Sequence, residues 1–433
     1  MAVADVNGDG RLDLVVAPRV VPGLWPYPAP THLYLRTADG GFVQDSANAR
    51  ALSALGLVSA LLLTDLDGDG WPELVAAAEW GPVRILKNER GRFRDVTREW
   101  GMSETTSRWN GLAAGDFDGD GRLDLVATSW GLNIPWQASP SRPYELVLGD
   151  FGSVGPGLVF ARRDSASGRE MPLESMTKLG PTIPSMRGRI ATFASFAEQT
   201  VDDLLGGAAS RAARVGATTF AHTLFLNRGG RFESRALPWK AQLAPAFGAV
   251  VADFDGDGRE DLFLAQNFSP TEQMTMRFDA GVGLLLRGDG RGGFAPLSVR
   301  ASGIFVLGDQ RGAAAADYDG DGRVDLAVSQ NGAATTLWHN TGGTPGLRVM
   351  LEGPAGNPLA IGAQLQPVRG TTRGPVREVR AGSGYWSMDG ALTVLARGDG
   401  MTGVNIRWPG GGETLVPVAA GQRELHVRAP SAN

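Results

Sequence analysis

Short apolar runs recur along the chain at the same place in a repeated pattern. They begin at Leu14, Leu74, Leu125, Leu262 and Leu326, and they read LVVA, LVAA, LVAT, LFLA and LAVS. Runs of about four apolar residues are too short for helices and are typical of buried β-strands. Small apolar residues also precede the repeated unit, as in GLAAG and GAVVA. The pattern therefore predicts a strand, a loop and a second strand, five times over.

Each repeat is also expected to contain a second hairpin. Four segments combine apolar strands with a glycine-rich turn and end in phenylalanine: LYLRTADGGF (33–42), RILKNERGRF (84–93), LFLNRGGRF (224–232) and LLLRGDGRGGF (284–294). The segment LVLGDFGSVGPGLVF (146–160) looks like a longer version of the same hairpin. Two hairpins supply four strands, which make one blade of a β-propeller.

The loop of each repeat is crowded with carboxylates. Acidic or amide residues occupy loop positions 1, 3, 5 and 9, and glycine at position 6 permits a sharp turn. Carboxylates this close repel one another unless a cation lies among them, and oxygen ligands favour a hard ion such as calcium. An EF-hand would need an acid at position 12, where all five loops are apolar. Simple hairpin turns are the alternative, which five copies in one register disfavour.

A sixth, degenerate loop is predicted at SFAEQTVDDLL. There Ser195, Ala197, Gln199 and Asp203 take positions 1, 3, 5 and 9, and because three of them carry no charge no metal is expected. The six loops begin at residues 5, 65, 116, 195, 253 and 317, a spacing typical of a propeller or solenoid. The sequence thus predicts an all-β chain with a β-propeller of six or seven blades and a small β-rich domain after it.

Composition narrows the class of protein. The 433 residues contain no cysteine, which excludes disulfides and thiolate metal sites. The formal net charge is −5, and 19 of the 46 acidic residues lie at the loop positions, so negative charge is concentrated there. Arginine outnumbers lysine 38 to 3, which hints at a bacterial gene. No apolar run reaches about 18 residues, so no membrane span is expected, and no signal peptide precedes the first loop.

The repeats resemble FG-GAP/VCBS repeats, the blades of integrin α-type β-propellers. This resemblance implies one calcium ion per D-x-D-x-D-G-x-x-D loop, and therefore about five ions. The ligands would be the side chains at positions 1, 3, 5 and 9 and the backbone carbonyl at position 7. The implied residues are Asp5, Asn7, Asp9, Arg11, Asp13, Asp65, Asp67, Asp69, Trp71, Glu73, Asp116, Asp118, Asp120, Arg122, Asp124, Asp253, Asp255, Asp257, Arg259, Asp261, Asp317, Asp319, Asp321, Arg323 and Asp325.

Three later segments resemble the ASPIC/UnbV domain, which follows such a propeller in the cartilage acidic protein family and its bacterial relatives. They read NPLAIGAQLQPV (357–368), REVRAGSGYWS (377–387) and VNIRWPGGG (404–412). The resemblance implies a calcium-binding propeller at 1–340 and an ASPIC/UnbV-like β-domain at 345–428. Family members carry a secretion signal and further sequence before the first loop. The chain is therefore expected to be truncated at its N-terminus and to work outside the cell or at its surface.

Other conspicuous features are expected to be structural. The tryptophans of 79–81 and 129–131 fall at equivalent places, where packing between blades is favoured over a sugar-binding surface. The RGD sequences at 287–289 and 397–399 are expected to be turns, and so is Ser383, since no G-x-S-x-G motif supports a catalytic serine. The four histidines lack metal-ligand spacing. Basic residues form no run, so no nucleic-acid binding is expected.

The sequence therefore predicts a non-enzymatic, calcium-binding scaffold for adhesion, which binds a protein or a carbohydrate on a propeller face. A polysaccharide lyase on a calcium-stabilised propeller is the alternative. A lyase needs a base and a charge-neutralising group in one cleft, and no sequence motif assembles such a set. A deep central pocket that holds Arg or His beside carboxylates would favour the lyase.

Overall fold

The computed structural model describes residues 1–271, 275–382, 385–398 and 400–430. Within these ranges the regular structure is mostly β, arranged in mainly antiparallel sheets, with a few short helices. Five sheets each contain one of the predicted acidic loops and are called blades 1 to 5. The predicted all-β, propeller-like fold is thereby confirmed. None of the described helices is long and apolar enough to cross a membrane.

The first two blades follow the predicted order of inner strand, acidic loop and outer hairpin. Blade 1 contains β1 (Ala2–Ala4), β2 (Asp13–Val16), β3 (His32–Arg36) and β4 (Phe42–Gln44). The helix α1 (Ala49–Ser53) leads to blade 2, whose strands are β5 (Leu57–Thr64), β6 (Glu73–Pro82), β7 (Arg84–Asn88), β8 (Phe93–Asp95) and β9 (Thr106–Arg108).

Blade 3 is interrupted by an insertion that spans residues 129–222. The blade begins with β10 (Gly111–Gly115) and β11 (Asp124–Thr128). The insertion then adds β12 (Tyr144–Gly149), β13 (Gly157–Arg163), β14 (Glu170–Pro172), α2 (Met176–Thr182), α3 (Phe193–Ala197), α4 (Val201–Leu205) and β15 (Ala213–Ala217). Its strands form a separate sheet in the order β14-β13-β12-β15. Blade 3 is completed by β16 (Thr223–Asn227) and β17 (Phe232–Ala236).

The predicted sixth repeat is wrong, because residues 195–203 are helical rather than a loop between strands. Thr192 and Thr200 cap α3 and α4, and each forms a capping box with the residue three positions later. Asp203 is therefore a helix-capping residue, with its Oδ2 accepting from Thr200 N at 2.9 Å. The hairpin at 146–160 likewise belongs to the insertion, and the segment 224–232 supplies the outer hairpin of blade 3.

Blades 4 and 5 and the C-terminal region complete the chain. Blade 4 contains β18 (Ala246–Ala252), β19 (Asp261–Gln266), β20 (Leu284–Gly288) and β21 (Phe294–Pro296), and the helix α5 (Val299–Ser302) follows it. Blade 5 contains β22 (Asp309–Ala316), β23 (Asp325–Asn331) and β24 (Ala333–Trp338). The C-terminal strands are β25 (Leu347–Glu352), β26 (Gln364–Arg369), β27 (Thr372–Arg373), β28 (Arg377–Glu378), β29 (Thr393–Leu395), β30 (Gly403–Arg407), β31 (Glu413–Pro417) and β32 (Glu424–Arg428). They form two sheets, β29-β25-β32 and β27-β26-β30-β31, with β28 paired to β26.

The blades pack face to face, which explains why their strands are apolar at successive positions. Side chains alternate between the two faces of a strand. In blade 2, Leu62 and Val75 pack into a core shared with blade 3, whereas Leu63 and Leu74 pack into a core shared with blade 1. Further shared cores lie between blades 3 and 4 and between blades 4 and 5. The inner strands β1, β5, β10, β18 and β22 contact one another in that order.

Residues 376–382 and 385–392 of the C-terminal region, together called the axial segment, lie along these inner strands. Val3 N in β1 donates to Ala381 O at 3.4 Å, and Gly390 N donates to Ala315 O of β22 at 2.9 Å. The segment therefore contacts both the first and the last blade of the row. Tyr385 of the segment has its ring centroid 5.4 Å from that of Phe247, near the start of β18. The tip of the axial segment, around Tyr385, thus reaches the side of the propeller opposite the acidic loops, which is called the far face.

Candidate metal centres

Each acidic loop is fixed by bonds from its own backbone to the carboxylate at position 1. In the fourth loop, Gly256 N and Gly258 N donate to the two carboxylate oxygens of Asp253, both at 2.8 Å. Both glycines have a positive φ, and the glycines at positions 4 and 6 of all five loops have φ between 72° and 88°. Other residues rarely adopt this conformation. Sequence reasoning recognised the need for glycine only at position 6.

The carboxylate at position 9 joins the loop to the third strand of its blade. In blade 3, Asp124 Oδ2 accepts from Phe117 N at 3.0 Å, and Asp124 Oδ1 accepts from Asn227 N at 2.7 Å. The other four loops repeat both bonds. All five residues at position 9 are at most 2% exposed. A buried carboxylate with two backbone partners still has lone pairs that can face a cation.

Four of the loops bring their carboxylates at positions 1, 3 and 9 together. In each, one oxygen from every member lies within 4.8 Å of the others; the sets are Asp65, Asp67 and Glu73; Asp116, Asp118 and Asp124; Asp253, Asp255 and Asp261; and Asp317, Asp319 and Asp325. In the third loop, Asp116 Oδ1 and Asp118 Oδ1 are buried without a hydrogen-bond partner among the described residues. Because such orphaned oxygens are costly, these residues fit a hard cation bound among them.

The first loop differs because Asn7 stands at position 3. Asn7 Nδ2 donates to Asp9 Oδ2 at 3.1 Å. The loop therefore offers two carboxylates and one amide at positions 1, 3 and 9, from Asp5, Asp13 and Asn7. Amide oxygens also bind calcium, so the loop keeps the same donor chemistry with one charge fewer.

The carboxylates at position 5 are turned toward nearby bases. Asp120 Oδ1 accepts from Arg122 N at 3.0 Å, and the Arg122 side chain forms an ion pair with the same carboxylate. The first, fourth and fifth loops repeat this arrangement with their own arginine at position 7. In the second loop position 7 is Trp71, and Lys87 of β7 supplies the base, contacting Asp69 at 3.2 Å. Coordination by the position 7 carbonyls remains a prediction.

Ion pairing leaves every loop with the same formal charge. With histidine counted as neutral, every carboxylate as ionised and only the acids of the loop included, each loop together with the bases that pair with it in the described structure carries −2. Arg228 and Arg348 also pair with Glu233 and Glu424 outside the loops. The first loop has three acids and one base, and the second, third and fifth have four acids and two bases; the fourth adds Glu260 and has five acids and three bases. The bases are Arg11; Lys87 and Arg407; Arg122 and Arg228; Arg259, Arg287 and Arg377; and Arg323 and Arg348. One divalent ion per loop would neutralise all five.

Burial raises the pKa of the loop carboxyls. The pKa of Asp124 rises to about 8 and that of Glu73 to about 9, in both cases first because burial disfavours the charged form. The pKa values of Asp65, Asp116 and Asp253 at position 1 rise to about 6 for the same reason. A bound cation acts in the opposite direction, since it favours the ionised carboxylate. Without a metal, Asp124 and Glu73 therefore hold a proton at neutral pH, which a bound cation would displace.

The C-terminal region contacts the position 1 carboxylates of four loops, which sequence reasoning missed. Arg407 Nη2 lies 2.6 Å from Asp65 Oδ2, and Arg348 Nε lies 2.8 Å from Asp317 Oδ2. Val376 N donates to Asp116 Oδ2 at 3.0 Å. Arg377 lies 3.6 Å from the carboxylate of Asp253. Arginines from a distant part of the chain thus contribute to the charge of the loops.

One sequence signal could have revealed this contact. Position 8 is apolar or proline in four loops, but in the fourth it is Glu260, which is 3% exposed. Arg377 Nε donates to Glu260 Oε1 at 2.7 Å. A buried charge at a position that is otherwise apolar indicates a partner from outside the repeat.

The remaining candidates from the sequence behave as structural residues where they are described. Trp80 and Trp130 are buried in one aromatic cluster with Tyr144 and Phe220 of the insertion, so packing is favoured over an exposed sugar-binding surface. His339 differs: its Nε2 lies 2.9 Å from Asp319 Oδ2, and with Asp319 and Asp321 it forms a further group at the fifth loop that could hold a metal ion. Ser383, and Asp399 of the second RGD sequence, lie outside the described residues.

Comparison with known proteins supports the repeat. A family model described as an FG-GAP-like repeat matches residues 65–127, which include the second and third acidic loops. A search of the curated proteins finds no match. The resemblance of the C-terminal region to ASPIC/UnbV domains and to the cartilage acidic protein family remains a prediction.

Several solved structures are similar to the chain at low identity. The exotype rhamnogalacturonan lyase YesX is 14% identical with a TM-score of 0.34, and the match covers 98% of this chain and 72% of that one. A rhamnogalacturonan lyase of Bacillus licheniformis is 12% identical with a TM-score of 0.34, covering 98% and 71%. The rhamnogalacturonan lyase YesW is 14% identical with a TM-score of 0.30; the match covers 81% of this chain, which spans 59% of the length of that one.

The expectation that the chain is not an enzyme is contradicted by this comparison, because these three structures are all lyases. The non-enzymatic interpretation is therefore withdrawn. The identities and TM-scores are too low to transfer an activity or a substrate to this chain.

Proposed function

We propose that the protein is a calcium-stabilised β-propeller that recognises an anionic polysaccharide outside the cell. The observation that carries the calcium assignment is the oxygen-only donor set that recurs in five loops, four of which bring three carboxylates together. Oxygen-only donors on an adaptable loop favour calcium over magnesium, which demands a tighter octahedron and loses water reluctantly.

The charge of the loaded protein supports an anionic ligand. Five divalent ions would add ten positive charges to a chain at −5, which leaves the protein near +5. Because the loops are then neutral, the excess positive charge lies outside them. A net positive surface attracts polyanions over a distance comparable to the Debye length. An acidic polysaccharide is a polyanion that an extracellular propeller would meet.

The experiment that tests the metal assignment is a count of bound ions. Protein stripped with chelator, reloaded with calcium and freed of excess ion is expected to hold five ions per chain by elemental analysis. The Asp118→Asn variant should hold four, and Asp203→Asn, which changes only the helical insertion, should still hold five. A count of two or fewer in the unmodified protein would refute the proposal.

A polysaccharide lyase is the second candidate, favoured by basic groups that face one tyrosine on the far face. Burial raises the pKa of the Tyr385 hydroxyl, and the positive charges of Arg311 and Arg19 partly oppose this shift. In β-elimination a base removes the proton beside a uronate carboxylate, the neighbouring C–O bond breaks, and an unsaturated sugar and a free hydroxyl result. Arginine can neutralise the carboxylate during this step.

The two candidates are distinguished by an ultraviolet assay for the unsaturated product. With an oligogalacturonate as substrate, a lyase is expected to give absorbance that grows with time and is lost in Tyr385→Phe. Binding without any such absorbance would leave recognition as the function and exclude the lyase for this substrate.

A further inference from the structure

The far face carries a charged network at the centre of the propeller. Glu79, whose side chain is 1% exposed, forms ion pairs with Arg19 and with Arg108, the latter at 3.4 Å. The guanidinium of Arg108 lies 4.6 Å from the ring centroid of Trp130 and 5.2 Å from that of Trp80. Arg108 Nε and Trp80 Nε1 are buried and have no hydrogen-bond partner among the described residues. Buried groups left unpaired in this way cost stability.

A second ion pair lies on the other side of the axial segment. Arg311 Nη2 donates to Asp309 Oδ2 at 2.8 Å, and its guanidinium lies 4.1 Å from the ring centroid of Phe247. The ring of Tyr385 packs against the same Phe247. The two ion-paired groups together contain three arginines and two acids. The centre of the far face therefore carries a net positive charge, unlike the loops, which one divalent ion each would make neutral.

Backbone strain is concentrated around this centre. Trp80, Asn267 and Trp386 have φ values of 63°, 89° and 50°, three of the five positive values among described residues other than glycine. Such conformations are unfavourable for residues other than glycine and persist where the surrounding structure requires them. The Trp80 ring lies beside Arg108. The carbonyl oxygen of Asn267 accepts a hydrogen bond from Arg311 Nη1 at 2.9 Å. Trp386 lies at the tip of the axial segment.

The tip presents an exposed aromatic ring beside an accessible cation. Trp386 is 80% exposed and stacks on Tyr385, with ring centroids 4.7 Å apart and planes inclined by 21°. Both residues, together with Arg19, line a cavity of about 700 Å³ against the inner strands of blades 1 and 2. The Arg19 side chain is 45% exposed, whereas that of Arg108 is 16% exposed. Arg19 is therefore the member of the network that can reach a ligand in the cavity.

We propose that this cavity binds a uronate unit of the anionic polysaccharide, with the sugar ring on Trp386 and the carboxylate on Arg19. Amphipathic aromatic rings and arginine suit such a ligand, because the ring covers C–H groups and the guanidinium pairs with carboxylate. Glu79, which also pairs with Arg108, holds Arg19 in place from below. The inference rests on the proposed recognition of polysaccharide, and it names the site and the sugar class.

The test compares two oligosaccharides that differ only in charge. Binding of a galacturonate hexamer and of its carboxyl-reduced galactose counterpart is measured by calorimetry on calcium-loaded protein. Trp386→Ala is expected to weaken both by about tenfold, which corresponds to about 1.4 kcal/mol. Arg19→Gln is expected to weaken the galacturonate hexamer alone, so that the preference for the charged sugar is lost.

Matched controls are available elsewhere on the surface. Trp239 is 68% exposed at the end of blade 3, and the Arg235 side chain is 47% exposed and pairs with Glu233. Trp239→Ala and Arg235→Gln are expected to bind both hexamers as the unmodified protein does. Equal binding by Trp386→Ala, Arg19→Gln and these controls would overturn the site but leave polysaccharide recognition standing. A calcium-loaded protein that binds neither hexamer would overturn both.

Discussion

The loop face and the far face differ in how far apart their charged residues lie in the sequence. On the loop face, the carboxylates of each centre come from nine consecutive residues, for example 116–124. On the far face, Arg19, Glu79, Arg108 and Arg311 come from blades 1, 2 and 5, and Tyr385 comes from the C-terminal region. A repeated local motif therefore builds one face, and the path of the whole chain builds the other.

The two faces also balance their charge differently. Each loop needs one divalent ion to become neutral, whereas the far-face network retains positive charge and three strained residues. The comparison suggests that the loops serve stability and that the far face serves recognition. Five experiments test this division.

Removal of divalent ions is expected to have the largest effect on stability. At millimolar calcium, sites with a Kd of about 10⁻⁴ to 10⁻³ M would each contribute about 0.4–1.4 kcal/mol, so five contribute about 2–7 kcal/mol. The thermal midpoint is therefore expected to fall by several degrees with chelator and to recover with calcium but poorly with magnesium. Unchanged melting after hours with chelator would mean that the loops need no ion.

The metal-free protein is expected to lose stability as pH rises. The folded-state pKa values of Asp124 and Glu73, about 8 and 9, exceed those of unfolded carboxyls near 4. The folded state then binds more protons between pH 4 and 9, so the free energy of unfolding falls through this range. Calcium should remove most of this dependence, because it favours the ionised carboxylates. Denaturant midpoints at pH 5 and pH 8, with and without calcium, give the measurement; a metal-free protein equally stable at both would contradict the prediction.

Loss of Arg377 is expected to cost about 3–5 kcal/mol, the usual penalty for breaking a buried ion pair from one side. Arg377→Leu would leave Glu260 buried and unpaired. The double variant Arg377→Leu with Glu260→Leu should recover much of the loss, since loops 1 and 3 carry leucine at position 8. Urea unfolding in calcium measures both. A single variant as stable as the double would show that the C-terminal region is not held through this pair.

Asp124→Ala is expected to destabilise the protein by about 3 kcal/mol even in excess calcium. The change removes a buried carboxylate that accepts from Phe117 N and Asn227 N, and it takes a ligand from the third loop. Asp203→Ala should cost about 1 kcal/mol or less, because it weakens a capping box through an exposed side chain. Equal shifts in the unfolding midpoints of the two variants would mean that the loop carboxylate contributes no more stability than the capping residue of the insertion.

The smallest effect on stability is expected on the far face. Trp386→Ala should change the free energy of unfolding by less than about 0.5 kcal/mol, because its side chain is mostly exposed. Chemical denaturation of the calcium-loaded protein gives this value. A fall of more than about 2 kcal/mol in the free energy of unfolding would mean that Trp386 stabilises the fold, and it would contradict a role limited to ligand binding.

Local sequence was sufficient for the acidic loops. Their donors lie within nine residues, and the strands that flank them are marked by apolar runs, so the all-β fold and the carboxylate sets at positions 1, 3 and 9 could be predicted. The same reasoning failed at residues 195–203, where polar residues matched the loop spacing. There Thr192 and Thr200 supply helix N-caps, and the local capping bonds decided the structure.

Tertiary structure decided which distant residues share the two faces. Arg407 reaches Asp65 across 342 positions of sequence, and Arg377 reaches Glu260 across 117. Nothing periodic marks such partners, because their meeting depends on the C-terminal region folding back over the loops and along the inner strands. The sequence alone determined the five carboxylate centres, since their geometry is local. The contacts of the arginines that balance the loop charges, and those of the network on the far face, form only when the whole chain has packed. Burial then favours pairing, because an unpaired buried charge is strongly unfavourable.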